Sequence, residues 1–167
     1  MRSHAYLTAG QKEEALADAK RLRELQPEDY QAAVLLGSIL TDLGQLEEAE
    51  KTYGAVKDLG AKSGDPGVAA RGCLALANFH DTGRKDKERA EKEYLACLAS
   101  YPTEPLALQL AAQFYDTSGR SEKGTDLWRK AVTEAPENLS FRVMLAERVA
   151  AAGKEDEAQA ILVEAAE

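Results

Sequence analysis

The sequence predicts an all-α protein built from antiparallel helix pairs stacked side by side. Three observations carry that expectation. Apolar residues recur at helical spacing along most of the chain, and no β-branched alternating run is present. Glycines break this pattern at regular intervals, Gly10 to Gly44 and Gly119 to Gly153 each spanning 34 residues. The small residues Ala15 and Ala49 repeat at the same period. A fixed period of this length marks repeated units that bury their apolar faces only by stacking on neighbours.

The unit is clearest between Pro105 and Asn138, PLALQLAAQFYDTSGRSEKGTDLWRKAVTEAPEN. Its first half places Leu106, Leu108, Leu110, Ala111, Phe114 and Tyr115 at helical spacing. Ser118-Gly119 ends it, since glycine tolerates the positive φ common at helix ends. Leu127, Trp128, Ala131 and Val132 give the second half, and Pro136, lacking an N–H for the helix ladder, closes it.

Leu108, Ala111, Ala112, Tyr115, Gly124, Trp128 and Pro136 match the pattern of the tetratricopeptide repeat, which this unit resembles. Leucine replaces the pattern's first tryptophan. The resemblance implies a right-handed superhelical solenoid in a single domain of about four and a half repeats. These are a partial repeat over 1–29, then 30–63, an extended repeat over 64–104, 105–138 and a partial repeat over 139–167. In the first, Tyr6 takes the aromatic position, Gln11 to Gln26 form the second helix and Pro27 closes. The second matches with Ala33, Leu36, Gly37, Leu40, Ala49 and Tyr53, turning at Gly44.

The third repeat is stretched. It matches with Cys73, Leu76, Ala77, His80, Ala90, Tyr94 and Pro102, but Ala49 to Ala90 spans 41 residues, seven more than one period. NFHDT at 78–82 and QFYDT at 113–117 stand 35 apart. Six extra residues are therefore expected at or before the start of this repeat and one in its turn. Asp65-Pro66 reads as an N-cap with proline at the first helical position. The fifth repeat matches with Leu145, Ala146, Val149, Ala158 and Leu162, with Arg142 where the pattern has tryptophan. The broken units at both ends suggest excision from a longer array.

The 167 residues are 44% hydrophobic, enough for a sizeable core, and carry a formal charge of −8. That charge argues against nucleic acid or an anionic membrane as partner. There is neither an apolar run long enough to span a bilayer nor a signal-peptide pattern, and the compartment is not readable. Cys73 and Cys97 lie 24 apart without a C-x-x-C or a histidine at ligand spacing, and are expected to be free, buried thiols. His80, at an aromatic position, reads as a packing residue. Gly54 to Ser63 resembles a P-loop only loosely, with the wrong glycine and lysine spacing. No catalytic constellation, metal site or cofactor site is evident, and the chain is expected not to be an enzyme.

Its function is then expected to be protein binding. In the family it resembles, the first helices of the pairs line a groove that takes a peptide or helix. The corresponding positions are Gln31, Val34, Ser38 and Asp42; Arg71, Leu74, Asn78 and Asp81; Leu106, Gln109, Gln113 and Asp116; and Val143 and Glu147. Lysine is absent from them, which disfavours capture of a C-terminal carboxylate. The acidic lean of Asp42, Asp81, Asp116 and Glu147 points to a segment with basic and apolar side chains. The alternatives are a structural spacer or assembly module without a groove ligand, or a regulatory array attached to a larger enzyme. Two further expectations follow. Both ends should be prone to end-to-end self-association, the first because its repeat lacks half and the last through Ala158, Ile161, Leu162 and Ala165. Gly124 stands where Ala15, Ala49, Ala90 and Ala158 stand, so Gly124→Ala should stabilise by about 0.5–1 kcal/mol.

Overall fold

The computed structural model describes residues 11–163, and all regular structure among them is helical. The helices are α1 (Lys12–Leu25), α2 (Tyr30–Asp42), α3 (Leu46–Lys62), α4 (Pro66–Asn78), α5 (Lys87–Ser100), α6 (Pro105–Thr117), α7 (Ser121–Glu134), α8 (Leu139–Ala151) and α9 (Glu155–Val163). A π-helical turn, Phe79–Gly83, continues α4. The chain divides into two compact units, residues 1–93 and 94–167. The expected helix over residues 2–9, with Tyr6 and Gly10, lies outside the described residues.

Helix boundaries follow local chemistry. Asp29 accepts hydrogen bonds from the backbone N–H groups of Gln31 (2.7 Å) and Ala32 (3.2 Å) at the start of α2. Asp65 caps α4 by accepting from Val68 N–H at 3.0 Å, with Pro66 in the first turn as expected. Such caps satisfy donors that the helix itself leaves orphaned. Gly44, Gly119 and Gly153 take φ of 72°, 73° and 78° at the turns inside the pairs, the left-handed geometry that costs glycine least.

In the first unit Ala15 and Ala19 of α1 pack with Leu36, Ile39 and Leu40 of α2, Ala49 of α3, Leu76 of α4 and Phe79, while Tyr53 lies over the edge. In the second, Leu108, Ala112, Trp128, Ala131, Phe141, Leu145, Ala146 and Val149 form one core with Ala158. Alanines at crossing points let the helix backbones approach. The larger side chains fill the remaining space.

The surplus of the third repeat is taken up as helix. Helix α3 has 17 residues where α5 and α7 have 14. Helix α4 begins seven residues before Cys73, whereas α2 and α6 begin three before the equivalent Ala33 and Leu108. The link 63–65 is one residue shorter than its counterparts at 26–29, 101–104 and 135–138. Three residues gained, four gained and one lost account for the six. The seventh is absorbed in the π-turn. In ordinary turns here Gln45 N–H bonds to Leu40 O (2.9 Å) and Arg120 N–H to Tyr115 O (2.9 Å); in the third repeat the donor to the equivalent His80 O is Asp86, one residue further on (2.8 Å). Lys85, at φ 57°, takes the left-handed position that glycine fills elsewhere.

The lengthened helices α3 and α4 meet at two glycines. A Cβ on Gly72 would lie 2.8 Å from Val56 O and 3.2 Å from the Cα of Gly60. One on Gly60 would lie 2.9 Å from Val68 O. The backbones touch there, and no side chain fits between them.

Two sequence expectations are corrected by this fold. Neither cysteine is a free thiol, since Cys73 and Cys97 are both disulfide-bonded. Lack of a C-x-x-C or a nearby histidine argues against a metal site but places no limit on disulfide formation. Gly124 is not a defect awaiting alanine. A Cβ there would sit 2.3 Å from Oδ1 of Asp116 and 3.1 Å from Ala112 O. The glycine makes room for a carboxylate.

Candidate binding faces

In the first unit the expected positions on α2 are open: Gln31, Ser38 and Asp42 are exposed and Val34 is half-buried. On α4, Arg71 and Asn78 are exposed. Leu74 is not available as an apolar anchor, because it is 2% exposed. Seven of the thirteen residues of α4 are buried, one more than on α2 or α6, so the helix is covered around more of its circumference. Asp81 sits in the π-turn with its side chain 12% exposed and is ion-paired with Lys87.

Tyr30 and Tyr53 flank the α2 face. Burial pushes the Tyr30 phenol above its ordinary pKa, and the Arg71 charge draws it part of the way back. Burial also raises Tyr53; a hydrogen bond with Thr41 opposes the shift and the Asp42 charge adds to it. Both rings therefore remain neutral hydrogen-bonding groups at physiological pH.

Close by, Glu50 gathers three cationic or polarisable groups. Arg84 Nε lies at 2.7 Å, Arg89 Nη1 at 3.1 Å, and the Nε2 of buried His80 at 3.9 Å. His80 also packs on Phe79 with ring centroids 5.5 Å apart. It takes the packing role its register position suggests. The Glu50 cluster was not anticipated, since its members come from two helices and a turn with no common spacing.

In the second unit Leu106, Gln109 and Gln113 on α6 are half-buried, while Val143 and Glu147 on α8 are exposed. Asp116 turns inward. Its Oδ2 accepts from the Trp128 indole Nε1–H at 3.0 Å and from Arg148 Nε at 2.8 Å, and the side chain is 10% exposed. It joins α6, α7 and α8 in one charge-assisted node. The only sequence signal for this node was the unusual glycine at 124, which marks space occupied by another group.

Asp81 and Asp116 are thus each ion-paired within the chain, while Asp42 in the first unit and Glu147 in the second remain exposed. Glu147 itself has Arg148 Nη1 at 3.7 Å. Among the described residues no group of His, Cys, Asp and Glu could hold a metal ion, and no helix is long and apolar enough to cross a membrane.

Paired helices with small residues at the crossings and polar outer faces define a helical-repeat protein. Residues 30–59 match the family model for the tetratricopeptide repeat. Solved structures share its fold. A crystal structure of MamA is 18% identical with a TM-score of 0.65, covering 98% of this chain and 91% of that one. MamA (41-end) from Desulfovibrio magneticus RS-1 is 21% identical with a TM-score of 0.64, covering 98% and 88%. The kinesin light chain TPR-like repeats of Podosopora anserina are 18% identical with a TM-score of 0.65, covering 98% and 89%. No curated protein sequence matches the chain.

Proposed function

We propose that the protein is a non-catalytic interaction scaffold that takes a segment of a partner protein along its first-helix faces. The observation that carries this is the α2–α4 face of the first unit. Gln31, Ser38, Asp42, Arg71 and Asn78 stand exposed there at helical spacing, with Val34 half-buried between them. Amides and a hydroxyl of this kind pair readily with the backbone of an extended chain. The second unit offers Leu106, Gln109, Gln113, Val143 and Glu147 for the same use. A basic side chain of the segment has Asp42 and Glu147 to address, not Asp81 or Asp116. Opposite charge of this sort mainly steers association and sets specificity.

The test is selection of peptides from a random library by the whole chain, followed by Gln31→Ala with Asn78→Ala and, separately, Gln109→Ala with Gln113→Ala. Selected peptides are expected to lose at least about tenfold in affinity with one of these pairs, or about 1.4 kcal/mol. Asp42→Lys should weaken those carrying a base, and more so at low salt. Affinities unmoved by all three variants would leave these faces as the walls of a spacer.

A further inference from the structure

The α2–α4 face carries one unpaired charge of each sign, at opposite ends. The two helices lie side by side and run in the same direction. At one end Arg71 is close enough for its charge to act on the Tyr30 phenol. At the other, a Cβ on Gly83, in the π-turn that continues α4, would lie 3.1 Å from Cγ2 of Thr41. Arg71 is exposed and has no ion-pair partner among the described residues. Its guanidinium reaches back over the first turn of α4, where a Cβ on Gly67 would lie 3.8 Å from Nη2. Asp42, at the far end of α2, is exposed as well. Lys12 Nζ reaches its backbone oxygen at 3.5 Å, and no ion pair among the described residues holds its carboxylate. Asp81, by contrast, is taken up by Lys87.

The distance between these charges sets a spacing. Gln31 and Arg71 are equivalent, each two residues before Ala33 and Cys73. Asp42 follows Gln31 by eleven residues, which is about 16 Å of helix rise. A lateral step of about 8–10 Å between packed helices and the backward reach of Arg71 bring the separation to roughly 18–22 Å. An extended chain covers about 3.1–3.4 Å per residue, so six residues span about 19–20 Å. Six is a multiple of both two and three. Side chains that far apart therefore point the same way in a β-strand and in a polyproline II helix. Between the charges Val34 offers an apolar contact and Ser38 and Asn78 offer polar ones. Resting on the reading that this face binds a segment, we propose that the segment is an extended stretch of a partner protein with an acidic and a basic side chain six residues apart, the acid on Arg71 and the base on Asp42.

The described chain has no such stretch of its own to lay there. No link between its helices is longer than four residues, too short to extend over both charges. Nor is the face an apolar seat lacking its neighbour. Helix α2 packs with α1 and α3, and α4 packs with α3. What stays open is polar and charged, and opposite charge is what draws a segment to such a surface and fixes its register. The order of charges then sets the direction of the segment. With the acid first it runs parallel to α2, and with the base first antiparallel.

The probe is a peptide library in which every member carries one Glu and one Lys, in either order and at every short separation, with all other positions random. It is selected on the whole protein at low salt, and binders are expected to favour a separation of six. Binders are then titrated against Arg71→Ala and Asp42→Ala, with the peptide's Glu or Lys also changed to Ala. In these double cycles Glu with Arg71, and Lys with Asp42, should couple by at least about threefold in affinity, fading at high salt; the crossed pairs should couple by less than about 1.5-fold. Binders that lose affinity with Gln31→Ala and Asn78→Ala, yet show no preferred separation and no coupling, overturn this inference and leave the scaffold reading intact. Binders indifferent to Gln31, Asn78, Arg71 and Asp42 alike overturn both for this face.

Discussion

Replacing Gly124 with alanine tests the Asp116 node most directly. Helix propensity alone favours the change by about 0.5–1 kcal/mol. Sterics oppose it, because the new methyl group would lie 2.3 Å from Oδ1 of Asp116, less than a van der Waals separation. Aspartate is short, and its other oxygen is held by Trp128 at 3.0 Å and Arg148 at 2.8 Å, so it cannot swing aside and keep both. Losing a charged hydrogen bond costs roughly 1.5–3 kcal/mol, and an indole N–H left unpaired in a buried site costs about 1–3 kcal/mol more. Partial relaxation offsets some of this. The net expectation is a loss of about 2–4 kcal/mol, or roughly 5–10 °C in Tm for a chain of this size. The assay is thermal and urea unfolding of Gly124→Ala, Asp116→Ala and the double variant. Removing the carboxylate relieves the clash, so the two changes should be less than additive by at least about 1 kcal/mol. An unchanged or raised Tm for Gly124→Ala would refute the reasoning, as would strict additivity.

Further outcomes are expected elsewhere. Gly72→Ala should lower the urea midpoint by the equivalent of about 1–3 kcal/mol, since backbone on both sides leaves the methyl group no room; an unchanged midpoint would show that the helices separate at little cost. Thiol titration of denatured, unreduced protein should count zero free thiols and rise to two after reduction, and a count of two without reduction would refute the disulfide. Asp86 accepts a hydrogen bond from Arg89 N–H at 3.0 Å, which holds its carboxyl below the usual aspartate range. Its stabilisation is therefore present at neutral pH and lost as pH falls through the folded-state value. Asp86→Ala should lower Tm at pH 7 and leave it unchanged in acid where the carboxyl is protonated in both states; an equal drop at both pH values would remove the charge from the explanation.

The helices and their turns were legible because they rest on local requirements: glycine at 44, 119 and 153, alanine at 15, 49 and 90, and Asp65-Pro66 at a helix start. The place of the surplus in the third repeat was also legible, from the offset of NFHDT against QFYDT. Its form was not, since whether extra residues extend a loop or a helix depends on the surface available to cover them. The site residues were legible as positions but not as states. Leu74 lies two residues beyond the contact of Gly72 with α3, on a helix covered more fully than its counterparts. Asp116 faces inward because Arg148, 32 residues away, meets it. Such a pairing joins elements that no local pattern relates. Ile161 shows the same limit. It packs against the core of the second unit, so it is less open to another molecule than Leu162, which is 46% exposed.

The doubled extension of α3 and α4 bears on how such chains tolerate insertion. One helix grew by three residues at its end and the next by four at its start, close to a full turn of 3.6 residues each. Each added turn returned the following side chains to nearly the same azimuth, and each gave the other a new surface to lie against. A single leftover residue then needed only a π-turn. For an engineer who wants one repeat taller than the rest, the quantum of insertion is thus a matched pair of turns on facing helices. A lone insertion of two residues in either helix would rotate its apolar stripe by roughly half a turn and strand it in water.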